Sequence, residues 1–423
     1  MPTKVVIVGG GFAGLNAAKT LSQKRDVEVT LIDRRNHHLF QPLLYQVATA
    51  GLSPADIAAP IRSILSGSKN TRVLQGEVTS VDLNDNKVAA DFGDVEFDYL
   101  VMACGATHSY FGNEDWSSFA PGLKTIENAT EIRRRILTAF EEAERIDDTD
   151  RRRKQLTFVI VGGGPTGVEL AGAIGEMSRF TLARDFRYID AKSTRVFLME
   201  AGPRILAAFP EELSDRAARD LENLGVQIWT ASPVSKIDTD GVTVGDERIS
   251  AATVIWAAGV QAEPFNSDQV LDSDWQGRTN VNSDLSVPGY ENVFVAGDQA
   301  SFKSADGRAL PSIAPVATQQ GKFVAETILR DLQGKPRTKF EYRDKGIMAT
   351  IGRNKAVLKS GRWQMGGRLA WWAWLIVHIY FLTGFKNRTI VVLQWAWSYM
   401  TFRRGARLIV GSGTSNEDRS FTS

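Results

Sequence analysis

A glycine-rich turn that joins a β-branched strand to a helix occurs twice in this chain, and no other feature constrains the fold as strongly. The first copy follows the apolar strand Lys4–Val8 and runs from Gly9 to Gly14; the second runs from Gly162 to Gly167. The spacing G-x-G-x-x-G allows a tight turn, close approach of backbone to a pyrophosphate, and close packing of the helix on the strand. Two copies in 423 residues predict two α/β dinucleotide-binding domains.

The first turn is followed by the strand Val27–Ile32, which ends at Asp33, nineteen residues after Gly14. A carboxylate at this position is expected to accept both hydroxyls of an adenosine ribose. The alternative is a glycine turn that only joins strand to helix, but the strand, the helix and the carboxylate together favour binding. We therefore predict that the first dinucleotide is bound by Gly9, Gly11, Phe12, Ala13, Gly14 and Asp33.

The second turn leads to the strand Thr194–Met199, which ends at Glu200, thirty-three residues after Gly167. An insertion at Arg179–Asp190 accounts for the longer spacing. An acidic residue here favours NADH because it repels the extra phosphate of NADPH, although the nearby Arg204 weakens that preference. The predicted contacts to this dinucleotide are Gly162, Gly164, Thr166, Gly167 and Glu200.

Two dinucleotides held by one chain indicate hydride transfer between them, and FAD with NADH is the natural pair. Three further segments resemble the two-dinucleotide-binding-domain flavoproteins: Asp98–Gly105, Val254–Gly259 and Asn292–Asp298. In that family the last segment returns to the first domain, so the resemblance implies that the NAD domain is inserted into the FAD domain. It also implies cofactor contacts at Val78, Gly105, Gly259, Asp298 and Ala317.

We expect an α/β fold with two Rossmann-like domains and a C-terminal membrane-anchoring helical region. The predicted boundaries are 1–112 and 273–340 for the two parts of the FAD domain, 113–272 for the NAD domain, and 341–423 for the membrane-association region.

Cys104 is the only cysteine, which excludes the members of this family that use paired cysteines, namely disulfide reductases and sulfide:quinone reductases. The remaining segments resemble type II NADH dehydrogenases, the single-subunit NADH:quinone oxidoreductases. The likeness is carried by residues 40–49 (FQPLLYQVAT), 344–352 (DKGIMATIG) and 384–388 (GFKNR). The quinone-site pattern of that family, A-Q-x-A-x-Q-Q/E, is matched at 314–320 except that Pro315 replaces the first Gln.

Three residues are predicted to take part in the chemistry. The resemblance implies that Gln319 and Gln320 contact the quinone; the alternative is that they are solvated helix residues. Glu169, two residues beyond Gly167, is expected to face nicotinamide and flavin, to have a raised pKa and to relay protons to the quinone. The alternative for Glu169 is a structural carboxylate.

Pro315 suits the first turn of a helix that runs to about Leu332.

The tail is basic and rich in tryptophan. Residues 345–416 hold eleven Lys or Arg and no acidic residue, whereas the rest of the chain has 39 basic and 49 acidic residues. The apolar stretch Leu369–Leu382 rises about 21 Å as a helix, which is too short to span a bilayer of about 30 Å. Tryptophan and arginine beside apolar helices indicate an anchor on anionic lipid, and residues 362–407 are the predicted contact. A buried helical hairpin or a homodimer interface remains open.

These observations predict a peripheral flavoenzyme that passes electrons from NADH through FAD to a quinone without pumping protons. It is expected on the cytoplasmic face of a bacterial inner membrane, because the N-terminus leads directly into a strand and leaves no signal peptide. We expect no metal site, since His378 is a lone histidine, and no nucleic-acid binding, since the apolar runs are too continuous. The rivals are a soluble NADH-dependent reductase of a protein such as ferredoxin, and a non-catalytic NADH sensor.

Overall fold

The computed structural model describes residues 1–264, 266–304, 307–382, 389–393, 395 and 406–410. The predicted family segment 384–388 therefore lies outside the described residues. So do four cations of the predicted lipid contact 362–407, namely Lys386, Arg388, Arg403 and Arg404.

The described α-helices are α1 (Phe12–Leu21), α2 (Leu44–Ala48), α3 (Pro54–Ile57), α4 (Ile61–Ile64), α5 (Trp116–Phe119), α6 (Ile126–Arg145), α7 (Thr149–Gln155), α8 (Pro165–Glu176), α9 (Glu211–Glu222), α10 (Ala314–Leu332) and α11 (Arg368–Phe381). The described strands are β1 (Thr3–Val8), β2 (Val27–Asp33), β3 (His37–Leu39), β4 (Ala58–Pro60), β5 (Thr71–Gln75), β6 (Val78–Asp82), β7 (Lys87–Ala90), β8 (Gly93–Glu96), β9 (Tyr99–Met102), β10 (Ala106–His108), β11 (Thr157–Val161), β12 (Arg195–Met199), β13 (Val226–Trp229), β14 (Val234–Asp238), β15 (Gly241–Val244), β16 (Glu247–Ser250), β17 (Thr253–Trp256), β18 (Val260–Ala262), β19 (Asn266–Ser267), β20 (Thr279–Asn280), β21 (Ser286–Val287), β22 (Tyr290–Val295), β23 (Ala300–Ser301), β24 (Ile347–Gly352), β25 (Lys355–Ser360) and β26 (Trp363–Gly366).

The chain divides into two compact units. Unit 1 comprises Met1–Leu39, Ala58–Ser109 and Val260–Lys345, and unit 2 comprises Phe40–Ile57, Tyr110–Gly259 and Gly346–Ser423. The boundaries differ from the predicted ones in three ways. Residues 40–57 belong to unit 2, where α2 packs on α6 and α8, and 260–272 belong to unit 1, where β18 pairs with β10. The predicted C-terminal region is not a separate unit, since 341–345 falls in unit 1 and 346–423 in unit 2.

Unit 1 contains a six-stranded sheet in the order β21-β22-β9-β1-β2-β5. Its central strands are parallel and β-branched, and Val5, Val6 and Ile7 of β1 are buried, as expected for strands covered on both faces. Strand β22 pairs in parallel with β9 although residues 110–259 of unit 2 lie between them in the sequence. The predicted insertion of the second dinucleotide-binding domain into the first is therefore confirmed.

Helices α1 and α10 cover one face of this sheet and pack closely against each other. A Cβ on Gly321 of α10 would overlap the backbone of Ala13, so only glycine allows the two helices to approach this far. Helix α10 begins one residue before the predicted start, with Pro315 in its first turn, and ends at Leu332.

Unit 2 contains a four-stranded parallel sheet in the order β13-β12-β11-β17, with a second small antiparallel sheet, β14-β15-β16. Helix α6 begins at a capping box, in which Thr125 and Asn128 each bind the backbone N–H of the other. Its apolar face is buried, and Phe140 stacks on both Phe158 and Phe186.

The predicted insertion lies between α8 and β12. It begins in a π-helical turn, Met177–Thr181, and continues as irregular chain. The carboxylate of Glu144 accepts the backbone N–H groups of Arg187, Tyr188 and Ile189, which fixes the insertion against α6.

The C-terminal part of unit 2 consists of the antiparallel sheet β24-β25-β26 followed by α11. Helix α8 lies directly on β24. The two elements are so close at Gly172 that a Cβ there would overlap the carbonyl oxygen of Ile351. Helix α11 has 14 residues. Among the described residues, no helix combines the length and the apolar content needed to cross a bilayer.

Candidate functional site

The first glycine turn connects β1 to α1 in unit 1. Gly9 has a φ of +100°, and a Cβ there would overlap the carbonyl oxygen of Ala103, which follows the neighbouring strand β9. A Cβ on Gly14 would overlap the carbonyl oxygen of Gly9, which explains the third glycine. Asp33, at the end of β2, accepts the N–H of Gly10 at 2.5 Å and that of Arg35 at 2.6 Å. The sequence pattern therefore produces a tight turn with an oriented carboxylate.

The residues around this turn fit an anionic dinucleotide such as FAD. Helix α1 has Gly11 as its N-cap, with no side-chain cap and no acidic residue in its first turn. A Cβ on Gly11 would meet no atom within 4 Å, so the approach to the N-terminus of α1 is open. A pyrophosphate can accept hydrogen bonds from N–H groups at a helix N-terminus, and its negative charge is stabilised by the positive end of the helix dipole.

Other predicted FAD contacts lie around the same turn. Gly297 has a φ of +80°, and a Cβ there would lie 3.3 Å from Ala13 and 3.5 Å from Ala317. Asp298 follows Gly297 at the carboxyl end of β22. Gly105 and Val78 also belong to unit 1: Gly105 precedes β10 and accepts the N–H of Glu263, and Val78 begins β6. All FAD contacts predicted from the sequence thus fall within one compact unit.

The second glycine turn repeats this geometry in unit 2. Gly162 has a φ of +113°, and a Cβ on Gly167 would overlap the carbonyl oxygen of Gly162. Glu200, at the end of β12, accepts the N–H groups of Gly163 and Gly202, both at 2.6 Å. Gly164 is the N-cap of α8 and has open space before it, Thr166 is exposed in the first turn of α8, and Gly259 follows β17.

Arg204 is already bound within unit 2. Its guanidinium donates to the carbonyl oxygens of Phe209 and Ala207 and to Oγ of Ser214, at 2.7–3.0 Å. A guanidinium held by three acceptors is poorly placed to bind a 2′-phosphate. Arg204 therefore weakens the expected preference for NADH over NADPH less than its position in the sequence suggested.

The two predicted quinone-contact glutamines have backbone partners. Gln319 donates to the carbonyl oxygen of Arg343 and accepts its N–H, each at 3.0 Å, and so holds residue 343 against α10. Gln320 is 1% exposed and accepts the N–H of Gly297 at 2.7 Å. Gln320 therefore orients the turn that carries Asp298, and contact of either side chain with a quinone stays a prediction.

Glu169 lies on α8, on the wall of a cavity of about 110 Å³ within unit 2. Its Oε1 accepts the N–H of Thr350 at 3.4 Å. Removal from water raises the pKa of Glu169 to about 8, although the Thr350 N–H acts in the opposite direction. The carboxyl group therefore holds a proton at neutral pH, as the sequence predicted; its part in a reaction stays a prediction.

The cavity is lined by residues for which the sequence gave no role. The indole N–H of Trp395 donates to Oε1 of Gln46 at 2.8 Å, and Nε2 of Gln46 donates to the Tyr45 hydroxyl at 2.9 Å. Trp371, Trp374, Thr350 and Arg353 form other parts of the wall. The sequence analysis identified 40–49 and 344–352 only by their resemblance to a family. Both segments contribute to the cavity wall, but the resemblance did not indicate which of their side chains face the cavity.

Gln299 was also missed, because no motif contains it. It is 1% exposed; it accepts the N–H of Cys104 at 2.8 Å and donates to the carbonyl oxygen of Glu263 at 3.0 Å. It thus joins the segment that follows β9 to the segment that follows β18. Desolvation raises the pKa of the Cys104 thiol to about 12, which disfavours the thiolate at neutral pH.

Comparison with known proteins agrees with this geometry. Residues 3–321 match the pyridine nucleotide-disulphide oxidoreductase family. The chain is 45% identical to the type II NADH:quinone oxidoreductase Ndh of Mycobacterium tuberculosis, over 95% of this chain and 89% of that protein. It is 31% identical to the type II NADH:quinone oxidoreductase of Staphylococcus saprophyticus, over 84% of this chain and 89% of that one.

A solved structure of NDH2 from Plasmodium falciparum in complex with NADH has the same fold, with a TM-score of 0.88 at 19% identity, covering 97% of this chain and 100% of that chain. Two dinucleotide turns with oriented carboxylates, a single cysteine, and this likeness along nearly the whole chain agree with one another. The chain belongs to the type II NADH:quinone oxidoreductases of the pyridine nucleotide-disulphide oxidoreductase family.

Proposed function

We propose that this protein is a peripheral membrane enzyme that transfers two electrons from NADH through FAD to a quinone without pumping protons. The observation that carries the proposal is the presence of two dinucleotide turns, each with an oriented carboxylate, in a chain with one cysteine. With no cysteine pair to receive them, the electrons must leave for an external acceptor.

The binding steps follow from the two turns. Glu200 would accept the adenosine ribose hydroxyls of NADH, and the free N–H groups at the start of α8 would bind its pyrophosphate. Asp33 and the start of α1 would bind FAD in the same way, with Asp298 near the carboxyl end of β22. When bound, FAD supplies a group that accepts a hydride and releases electrons singly or in pairs. The protein supplies alignment, which matters more than acid catalysis for hydride transfer.

Glu169 is the group that we propose holds the proton for quinone reduction. A quinone takes up two protons with two electrons, so a neutral carboxyl with a pKa of about 8 is a competent donor near neutral pH. The cavity beside it has polar lining from Gln46, Thr49 and Glu176, and a volume of about 110 Å³ accommodates several water molecules. Water in this cavity would return a proton to Glu169 after each turnover.

Membrane attachment would use the exposed face of α11. Leu369, Trp372, Ile376 and Tyr380 recur every three or four residues and are 72%, 52%, 62% and 68% exposed. The opposite face of α11, with Ala370, Trp374 and His378, is buried against the protein. The exposed apolar face is therefore available to insert into the headgroup boundary of a membrane. We place this surface at the cytoplasmic face of a bacterial cell membrane, where anionic lipid would attract the basic tail.

The function is tested by NADH oxidation with purified, FAD-loaded protein and a water-soluble quinone. Rapid turnover with an NADH-to-quinone ratio of one to one is expected. Reduction of the flavin by NADH without quinone turnover would contradict the proposal and favour a protein acceptor, such as ferredoxin, or a sensor.

The anchor is tested with the triple variant Leu369→Ser, Trp372→Ser, Ile376→Ser. It should lose co-sedimentation with phosphatidylglycerol vesicles and keep turnover with the water-soluble quinone. Trp275→Ser is the matched control, because Trp275 is 81% exposed in unit 1. If the triple variant still binds vesicles but changes from dimer to monomer in solution, the same face is a homodimer contact instead.

A further inference from the structure

His38 lies in unit 1 on β3 and contacts the first glycine turn. It is 3% exposed, and its Nδ1 lies 3.0 Å from the carbonyl oxygen of Gly10. A carbonyl oxygen can only accept, so Nδ1 must carry a hydrogen and donate it. Burial lowers the pKa of His38 to about 4, so at neutral pH the ring is the neutral Nδ1–H tautomer.

This hydrogen bond fixes a peptide group that faces the proposed pyrophosphate site. In a trans peptide, the C=O of Gly10 and the N–H of Gly11 point in opposite directions. A donor that holds the Gly10 oxygen therefore directs the Gly11 N–H away from His38. Gly11 is the N-cap of α1 with open space before it, which is where an anion would approach.

The turn cannot fix this peptide by itself. Gly10 and Gly11 have no side chains, and glycine adopts either hand of backbone with little penalty, so a flipped peptide is accessible. The N–H of Gly10 is held by Asp33 at 2.5 Å, but that bond belongs to the preceding peptide group. His38 is itself held firmly: β3 pairs His38 with Ala59 of β4, and Phe12 packs edge-on against the ring at 5.1 Å between centroids.

The second glycine turn solves the same problem with a different donor. There, Gly163 also gives its N–H to a carboxylate, Glu200, at 2.6 Å. Its carbonyl oxygen accepts the backbone N–H of Leu206 at 2.8 Å. In both turns a carboxylate accepts the N–H of the middle glycine and a donor binds its carbonyl oxygen. That donor is a backbone N–H in unit 2 and the imidazole of His38 in unit 1.

We propose that His38 is a positioning residue for FAD: it holds the Gly10–Gly11 peptide so that the Gly11 N–H points at the pyrophosphate. The role rests on the proposed binding of FAD at the first turn. Of the two donors to the middle glycine's carbonyl oxygen, His38 is a side chain and can be replaced directly. The donor in unit 2 is the backbone N–H of Leu206.

The test measures release of FAD from the holoenzyme. In His38→Phe the ring and its contact with Phe12 are kept and the donor is lost, so FAD should dissociate about 10-fold faster or more. In His38→Asn the amide group occupies the position of Nδ1, and the release rate should stay within about 3-fold of the wild type. Phosphorus NMR of bound FAD should show shifted pyrophosphate resonances in His38→Phe and not in His38→Asn.

His378 provides the matched control. It is 9% exposed, its Nδ1 donates to the carbonyl oxygen of Trp374 at 2.7 Å, and its pKa is also lowered to about 4. His378→Phe removes the same kind of bond in unit 2 and should leave the rate of FAD release and the phosphorus spectrum unchanged. If His38→Phe does not fold, His38→Leu replaces it.

Four outcomes are informative. Unchanged release from His38→Phe, or release from His38→Asn as fast as from His38→Phe, overturns the role of His38. Faster release in His378→Phe as well would show a general loss of stability and would also overturn it. Wild-type protein that binds no FAD would instead overturn the proposed function, which separates the two failures.

Discussion

Glu169 is the residue whose ionisation should most visibly affect the stability of the folded protein. Its pKa is about 8 in the folded chain, against 4.5 for an ordinary glutamate. Between these values the folded state binds more protons than the unfolded state, so the free energy of unfolding falls as pH rises. The stabilisation is complete below pH 4.5 and is lost as pH passes through 8, with a slope of at most about 1.4 kcal/mol per pH unit.

Replacing Glu169 with Gln should remove this contribution. The difference in free energy of unfolding between Glu169→Gln and the wild type should grow in favour of the variant from pH 6 to pH 9, measured by denaturant unfolding of the holoenzyme. Quinone turnover should fall by about 10-fold to 100-fold while flavin reduction by NADH is retained. A parallel stability profile for the two proteins would mean that Glu169 has an ordinary pKa.

Glu200 should control NADH affinity. In Glu200→Gln, one of the two acceptor oxygens becomes an NH₂ group that faces a backbone N–H, either of Gly163 or of Gly202. We expect the KM for NADH to rise about 10-fold or more, since an unmade bond of this kind costs about 1–3 kcal/mol. Because Arg204 is bound elsewhere, NADPH should gain little. Glu222→Gln, an exposed position on α9, should leave both KM values unchanged in the same steady-state assay.

At the level of elements, the contact between α8 and β24 depends on Gly172. An added methyl group there would overlap the carbonyl oxygen of Ile351, and both elements would have to separate. Gly172→Ala should lower the free energy of unfolding by about 1–3 kcal/mol despite the higher helix propensity of alanine. The separation should also weaken the Thr350–Glu169 contact. Gly67→Ala is the control, because a Cβ there meets no atom within 4 Å; a loss of stability equal to that of Gly172→Ala would refute the packing argument.

Most elements near the site were predictable because local signals coincide there. The glycine turns, their flanking strands and the helix that starts at Pro315 were placed within a few residues of the observed bounds. Apolar periodicity, glycine spacing and the fixed φ of proline all act within a few residues of one another, so sequence alone carries them. The antiparallel sheet β24-β25-β26 was not predicted as such, since pairing between strands depends on register and packing.

For the whole molecule, the separation of charge along the chain should govern attraction to lipid. The tail from 345 to 416 has eleven cations and no acidic residue, while the remainder is acidic. Raising NaCl from 50 to 500 mM shortens the screening length from about 14 Å to about 4 Å and should weaken binding to anionic vesicles about 10-fold or more. Binding to phosphatidylcholine vesicles should be weaker throughout and change little with salt. Equal salt dependence on both vesicle types would contradict an electrostatic contribution.

The sequence by itself determined the two dinucleotide domains, the insertion of one into the other, the carboxylates that end their second strands, and the family. The two domains and their carboxylates follow from residues whose chemical requirement is local: a φ that only glycine tolerates, a helix start, a carboxylate at a strand end. The insertion and the family were implied by the resemblance of further segments to known flavoproteins.

The tertiary structure alone decided which side chains meet. It placed Gln46, Thr350 and Trp395 around Glu169 and His38 beside the Gly10 carbonyl. It also gave Gln319, Gln320 and Arg204 backbone hydrogen-bond partners. These contacts join residues separated by up to hundreds of positions, and burial sets the pKa of Glu169 and His38. Desolvation and long-range packing depend on the folded surroundings of a residue, and those have no signature in its immediate sequence.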